Sequence, residues 1–138
     1  MKDVTIKIEI CQSSPGGDEE CFELTTDGEY IRENGVCVIS YTESELTGYD
    51  GKLTTFTISP ESVVLRRAEG ETGDMVFSET QKHHFLYETD YGSLTMGIDT
   101  SRIVRKLDDD GGALEIDYTI DVNNYIMSRN SFRINVNP

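Results

Sequence analysis

The segment QKHHFLYET, residues 81–89, carries both histidines of the chain side by side. Imidazole titrates near neutrality and ligates transition metals, and Tyr87 and Glu88 stand close by. The segment therefore offers a metal site or an acid/base centre. Strand geometry limits both. Successive side chains on a strand point to opposite faces. Lys82, His84, Leu86 and Glu88 share one face, and His83, Phe85, Tyr87 and Thr89 the other. Two adjacent histidines on a regular strand do not chelate one ion. Zinc also needs about three or four protein ligands, and no CxxC or Cys/His spacing supplies them. No metal and no cofactor is expected. His83 and Tyr87 lie roughly 13 Å apart at ~3.3 Å per residue, beyond hydrogen-bond reach. Parity leaves open which histidine points inward: Phe85 and Tyr87 argue for one face, Leu86 for the other.

Other polar residues lie in phase with apolar strand faces. Tyr118 falls between Ile116 and Ile120, and Thr100 continues the face of Leu94, Met96 and Ile98. Arg105 lies between Ile103 and Leu107, and Arg67 follows Val63 and Leu65. An inward hydroxyl or guanidinium needs a partner. Either the arginines sit at strand ends and reach water or one of the 26 acidic residues, or they orient a small acidic ligand inside a cavity. Arg105, Tyr118, Thr100 and Met96 are the first candidate ligand contacts. His83, Tyr87 and Arg67 complete the set. LDDDGGALE (107–115) invites a calcium reading, but the loop position that should carry a ligand is Gly112, and the flanks read as strands. A solvated hairpin turn is the expectation. No GxSxG, HExxH, P-loop or GxGxxG occurs, so no catalytic residue is assigned.

The elements that position these residues are strands. Val4, Ile6, Ile8 and Ile10 alternate with polar residues, as do Leu114, Ile116, Tyr118, Ile120 and Val122, and Phe132, Ile134 and Val136. Each pattern is a sheet with one apolar face. Asn34-Gly35 is a strong two-residue hairpin signal, because both residues tolerate positive φ. Asn123-Asn124, DDDGG (108–112), TGYDG (47–51), SPE (59–61), EGETGD (69–74) and TDYG (89–92) mark further turns. Gly28 is a turn or a bulge within a long strand. SVVLRRAEG (62–70) reads as a strand through its adjacent valines. Eight to ten strands with short connections predict an all-β, antiparallel up-and-down barrel, with a sandwich second.

The 138 residues suit one domain over 1–138. Twelve basic and 26 acidic residues give a formal charge of −14, which opposes binding to phosphate backbones and anionic lipid. No apolar run approaches the ~20 residues of a membrane span, and the first ten residues do not read as a signal peptide. Cys11, Cys21 and Cys37 are odd in number and read as reduced thiols of a cytosolic protein.

The segments GVCVISYTESELTG (35–48), KLTTFTIS (52–59), HHFLYETDYGSLTMGIDTSRI (83–103) and LDDDGGALEIDYTIDV (107–122) resemble, in order and over nearly the whole chain, a YwiB-like family of uncharacterised bacterial proteins. The resemblance implies a calycin-like, lipocalin-like β-barrel and a cytoplasmic protein. It implies no activity and no site residue. The chain has no tryptophan, so it lacks the GxW motif of secreted lipocalins.

Three functions are compatible with these residues. The first is a non-catalytic barrel holding a small acidic or amphipathic ligand. The second is an interaction or homodimerisation module, motivated by Val104, Val64, Cys37 and Ile39 at nominally outward positions. The third is an enzyme using His83 and Tyr87. Nucleic-acid and membrane partners are not expected.

Overall fold

The computed structural model describes residues 2–43, 51–68 and 73–138. Ten strands run in chain order: β1 (Lys2–Ser13), β2 (Glu20–Glu33), β3 (Val36–Thr42), β4 (Leu53–Ile58), β5 (Val63–Arg67), β6 (Met75–Phe77), β7 (His83–Thr89), β8 (Gly92–Leu107), β9 (Gly112–Val122) and β10 (Tyr125–Asn137). They form one antiparallel sheet, ordered β6-β5-β4-β3-β2-β1-β10-β9-β8-β7. The sheet rolls into a nearly closed barrel, so β6 and β7 meet at the seam. There the Gly73 N–H donates to the Leu86 carbonyl at 2.9 Å.

The turns follow their local chemistry. Asn34 and Gly35 have φ of 54° and 79°, and Asn123 and Asn124 have φ of 52° and 69°. Two successive positive values match the right-handed twist of the strands they join. The 108–112 turn is an aspartate cap: Asp108 Oδ1 accepts the N–H groups of Asp110 (2.8 Å) and Gly111 (3.1 Å). Three residues from outside the hairpin clasp it. The Tyr30 hydroxyl donates to the Asp108 carbonyl (2.6 Å), Arg32 pairs with Asp109 (3.1 Å), and Lys2 pairs with Asp110 (2.9 Å). The turns expected at 47–51 and 69–74 fall largely outside the described residues.

The inward faces make one core. Phe77 of β6 reaches across the seam to Tyr118, with ring centroids 4.7 Å apart, and Phe132 lies 5.9 Å from Tyr118. Phe56 closes the group 5.7 Å from Phe132. These rings fill the barrel at this level. The β8–β9 ladder slips by one residue between Thr100 and Arg102. Before the slip, Met96, Ile98 and Thr100 face in; after it, Ile103, Arg105 and Leu107 do. One bulge thus lets a 16-residue strand keep its apolar residues on the concave side.

Two expectations are corrected. Cys37 and Ile39 do not face out. Ile39 pairs with Tyr30 and Phe56 and is wholly buried. VCVISY is apolar at both parities, so alternation misassigns its face. Val64 and Val104 are half-buried. Nor are the cysteines all reduced: Cys11 and Cys21 stand opposite each other on β1 and β2 and form a disulfide, leaving Cys37 free and buried.

Gly28 is neither turn nor bulge. It pairs in unbroken register with Val4 and with Tyr41. A Cβ there would stand 2.5 Å from the Ser40 carbonyl oxygen and would collide with the Ile6 side chain. Gly28→Ala is therefore expected to lower stability by about 1–3 kcal/mol through overpacking, read as a reduced urea midpoint. An unchanged midpoint would mean that β2 moves aside without cost.

Candidate functional site

One cross-strand row gathers several interior polar residues. Gly28, Tyr41, Thr54 and Arg67 are successive register partners across β2, β3, β4 and β5. Gly28 has no side chain, which leaves room beside Tyr41. Glu43 follows β3 on the same parity as Tyr41, and its backbone is fixed by Glu43 N–H to the Lys52 carbonyl (2.8 Å) and Gly51 N–H to the Glu43 carbonyl (3.0 Å). Its side chain is wholly buried. The Thr54 hydroxyl donates to Glu43 Oε1 at 2.7 Å, and Arg67 Nε lies 3.8 Å from the same oxygen. Burial first, and the negative Glu43 second, push the Tyr41 hydroxyl far above its ordinary range. Glu43 Oε2 has no hydrogen-bond partner among the described residues. A buried carboxylate oxygen without a donor is costly, so this atom marks a place for one.

The predicted residues separate into groups. Arg67 belongs to this cluster and faces an acid of its own chain. Tyr118 is a buried ring of the core, packed against Phe77 and Phe132. Thr100 is the cross-strand partner of Tyr118, and its Oγ1 is buried without a hydrogen bond, as is Nε of Arg105. Met96 and Tyr87 pack against the core margin. His83 faces inward with Phe85, opposite the buried Ile98, whereas His84 pairs with Gly97 on the outer face and is exposed. The parity question is settled in favour of His83. No hydrogen bond joins His83 to Tyr87 among the described residues.

On that outer face Lys82 reaches across Gly97 to Asp121 at 3.0 Å, and Asp121 accepts the Asn124 N–H at 2.9 Å. A Cβ on Gly97 would stand 2.6 Å from Lys82 Cε, so glycine is what lets the lysine cross.

Sequence reasoning missed Tyr41, Glu43 and Thr54. Tyr41 and Thr54 could have been found as polar atoms in phase with Ile39 and Phe56. Glu43 had no local signal, since it lies in a polar stretch that reads as a turn.

A family model described as "Domain of unknown function (DUF1934)" matches residues 6–134. The chain belongs to the DUF1934 family. Its fold is also that of a solved structure, described as the crystal structure of ywiB protein from Bacillus subtilis. The two share 20% sequence identity with a TM-score of 0.77, over 99% of this chain and 92% of that one. That likeness supports the calycin-like barrel and nothing finer. No curated protein matches the chain. The DUF1934 model spans β3 to β5, so the Tyr41–Glu43–Thr54–Arg67 cluster lies inside the family's own boundaries.

Two outcomes test this DUF1934 chain's interior. Arg67→Met leaves the buried Glu43 carboxylate without its cation and is expected to cost about 3–5 kcal/mol in chemical denaturation. Adding Glu43→Gln should recover part of that loss; independent, additive costs would show that the two side chains are not coupled.

Tyrosine ionisation gives the second test. Burial first, then the Cys37 thiol, raises the Tyr30 hydroxyl well above its ordinary range, as burial does for Tyr41. A raised folded-state pKa adds stability that is complete below the ordinary value of about 10 and is lost as pH climbs beyond it. Tyrosinate absorbance should therefore rise in two phases, with Tyr30 and Tyr41 appearing only as circular dichroism reports unfolding. A single phase in the folded protein contradicts their burial.

Proposed function

We propose that the protein is a non-catalytic, cytoplasmic barrel that binds a small molecule at the strand ends holding Glu43 and Arg67. One observation carries the reading: Glu43, wholly buried, has one oxygen engaged by Thr54 and Arg67 and the other without a donor among the described residues. The complementary ligand is a hydrogen-bond donor, neutral or cationic, rather than an acid. Tyr41 and Thr54 add hydroxyls beside it, and Thr100 Oγ1 and Arg105 Nε are further buried polar atoms without a hydrogen-bond partner among the described residues. The cluster contains no histidine. The formal charge of −14 argues against nucleic-acid and anionic-membrane partners.

A second reading rests on exposed apolar side chains. Leu94, Tyr125, Ile126 and Met127 are exposed on β8 and β10 near the turns at the same end of the barrel. Such residues suit a homodimer contact.

The first reading is tested by native mass spectrometry of the purified protein and by thermal shift with ethanolamine and related amino alcohols. A raised Tm in the wild type that is lost in Glu43→Gln supports it. No shift with any amino alcohol, together with no co-purified mass, overturns it. Light scattering at high concentration reports the dimer, and a strict monomer removes the second reading.

A further inference from the structure

The disulfide lies apart from that cluster, on the outer face. β2 has two halves. From Gly28 to Glu33 it is paired on both sides, with β1 and β3. From Glu20 to Asp27 its only ladder among the described residues is with β1. Cys11–Cys21 crosses this one-sided half of the hairpin, next to its end at Gln12 and Glu20. The two cysteines are already direct register partners and only ten residues apart. Such a short link removes less chain entropy from the unfolded state than a longer loop would.

The two sulfurs differ in access. Cys21 is exposed, whereas Cys11 is 8% exposed. Cys11 borders a shallow concavity lined by Arg129, Arg133, Ser131, Asp117 and Glu19. The Glu19 carboxylate stands 3.6 Å from Cys21 Sγ. Exposed, weakly constrained disulfides are the ones that exchange with thiols, and a leaving thiolate is helped by nearby cations.

From these features we infer that Cys11–Cys21 is a reversible thiol–disulfide exchange site for a low-molecular-weight thiol, attacked at Cys21. The incoming thiolate bonds to Cys21 Sγ, the Cys11–Cys21 bond breaks, and its electron pair leaves on Cys11 Sγ in the concavity that Arg129 lines; Arg133, also there, is paired with Glu115 and Asp117. A second thiol attacks the outer sulfur of the mixed disulfide and releases Cys21. Two small thiols are oxidised to one disulfide, and their two protons end on Cys11 and Cys21. Cys37, buried in the core, takes no part. The consequence is local: reduction unfastens the half of β2 that has no β3 beside it.

The test uses the full chain in glutathione buffers. Wild type should pass between disulfide and dithiol forms, counted by alkylation and intact mass, with unchanged circular dichroism. Hydrogen exchange should accelerate at residues 20–27 on reduction, and not in β8, β9 or β10. With oxidised glutathione, Cys11→Ser should take one adduct at Cys21 roughly tenfold faster than Cys21→Ser takes one at Cys11, on grounds of access. A disulfide that yields only as the whole protein unfolds overturns the inference, and this measurement needs no substitution. Equal adduct rates, or exchange changes spread through the barrel, overturn it as well.

Discussion

The barrel depends on a seam that has almost no ladder. β6 has three residues and pairs with β5; across the gap to β7 the Gly73 N–H donates to the Leu86 carbonyl. What shuts the seam is Phe77, set among Phe132 and Tyr118 from β10 and β9. A buried phenylalanine is worth about 1.5–3 kcal/mol, and each favourable aromatic pair adds about 0.5–1.5 kcal/mol. Those contacts replace the hydrogen bonds that a fully laddered barrel would have there. They also decide what the interior can be. Tyr118, which by parity looks like a ligand contact, is committed to closing the barrel.

The strand ends then divide the work. At one end, the Asp108–Asp110 turn is clasped by Lys2, Tyr30 and Arg32, so the acidic residues that suggest calcium are satisfied by cations and a phenol of the chain itself. The opposite strand ends carry Glu43 and Arg67. The chain places its unsatisfied buried carboxylate oxygen away from the clasped end and from the aromatic plug. A packed core and an unsatisfied buried polar cluster thus coexist in one barrel.

Strand periodicity and turn chemistry are local, and both are legible in the sequence. Val4 to Ile10, Leu114 to Val122, Asn34-Gly35 and Asn123-Asn124 each declare their state within a few residues. Register is not local, and every miss follows from it. Cys11 and Cys21 look like unrelated thiols until the β1–β2 register sets them face to face. Glu43 looks like part of a turn until Tyr41, Thr54 and Arg67 align beside it. Cys37 and Ile39 are misassigned because Val36 and Val38 are apolar too. The β8 bulge was half-visible: Met96 and Ile98 are even-numbered and Ile103 and Leu107 odd-numbered, so the strand must slip once between them.

The same logic explains why glycine matters at two particular places. At Gly28 the row that carries the polar cluster needs an inward position without a side chain, since Ile6 and Tyr41 already fill that space. At Gly97 the outer face needs the same, so that Lys82 can cross β8 and hold Asp121 beside the Asn123-Asn124 turn. One glycine serves the inside of the sheet and the other the outside. Each stands where a side chain from elsewhere must occupy the volume its own would have taken. The polar cluster is therefore tied to β2 as firmly as to the strands that carry its charges. A side chain added at Gly28 meets Ile6 and the Ser40 carbonyl first and Tyr41 next.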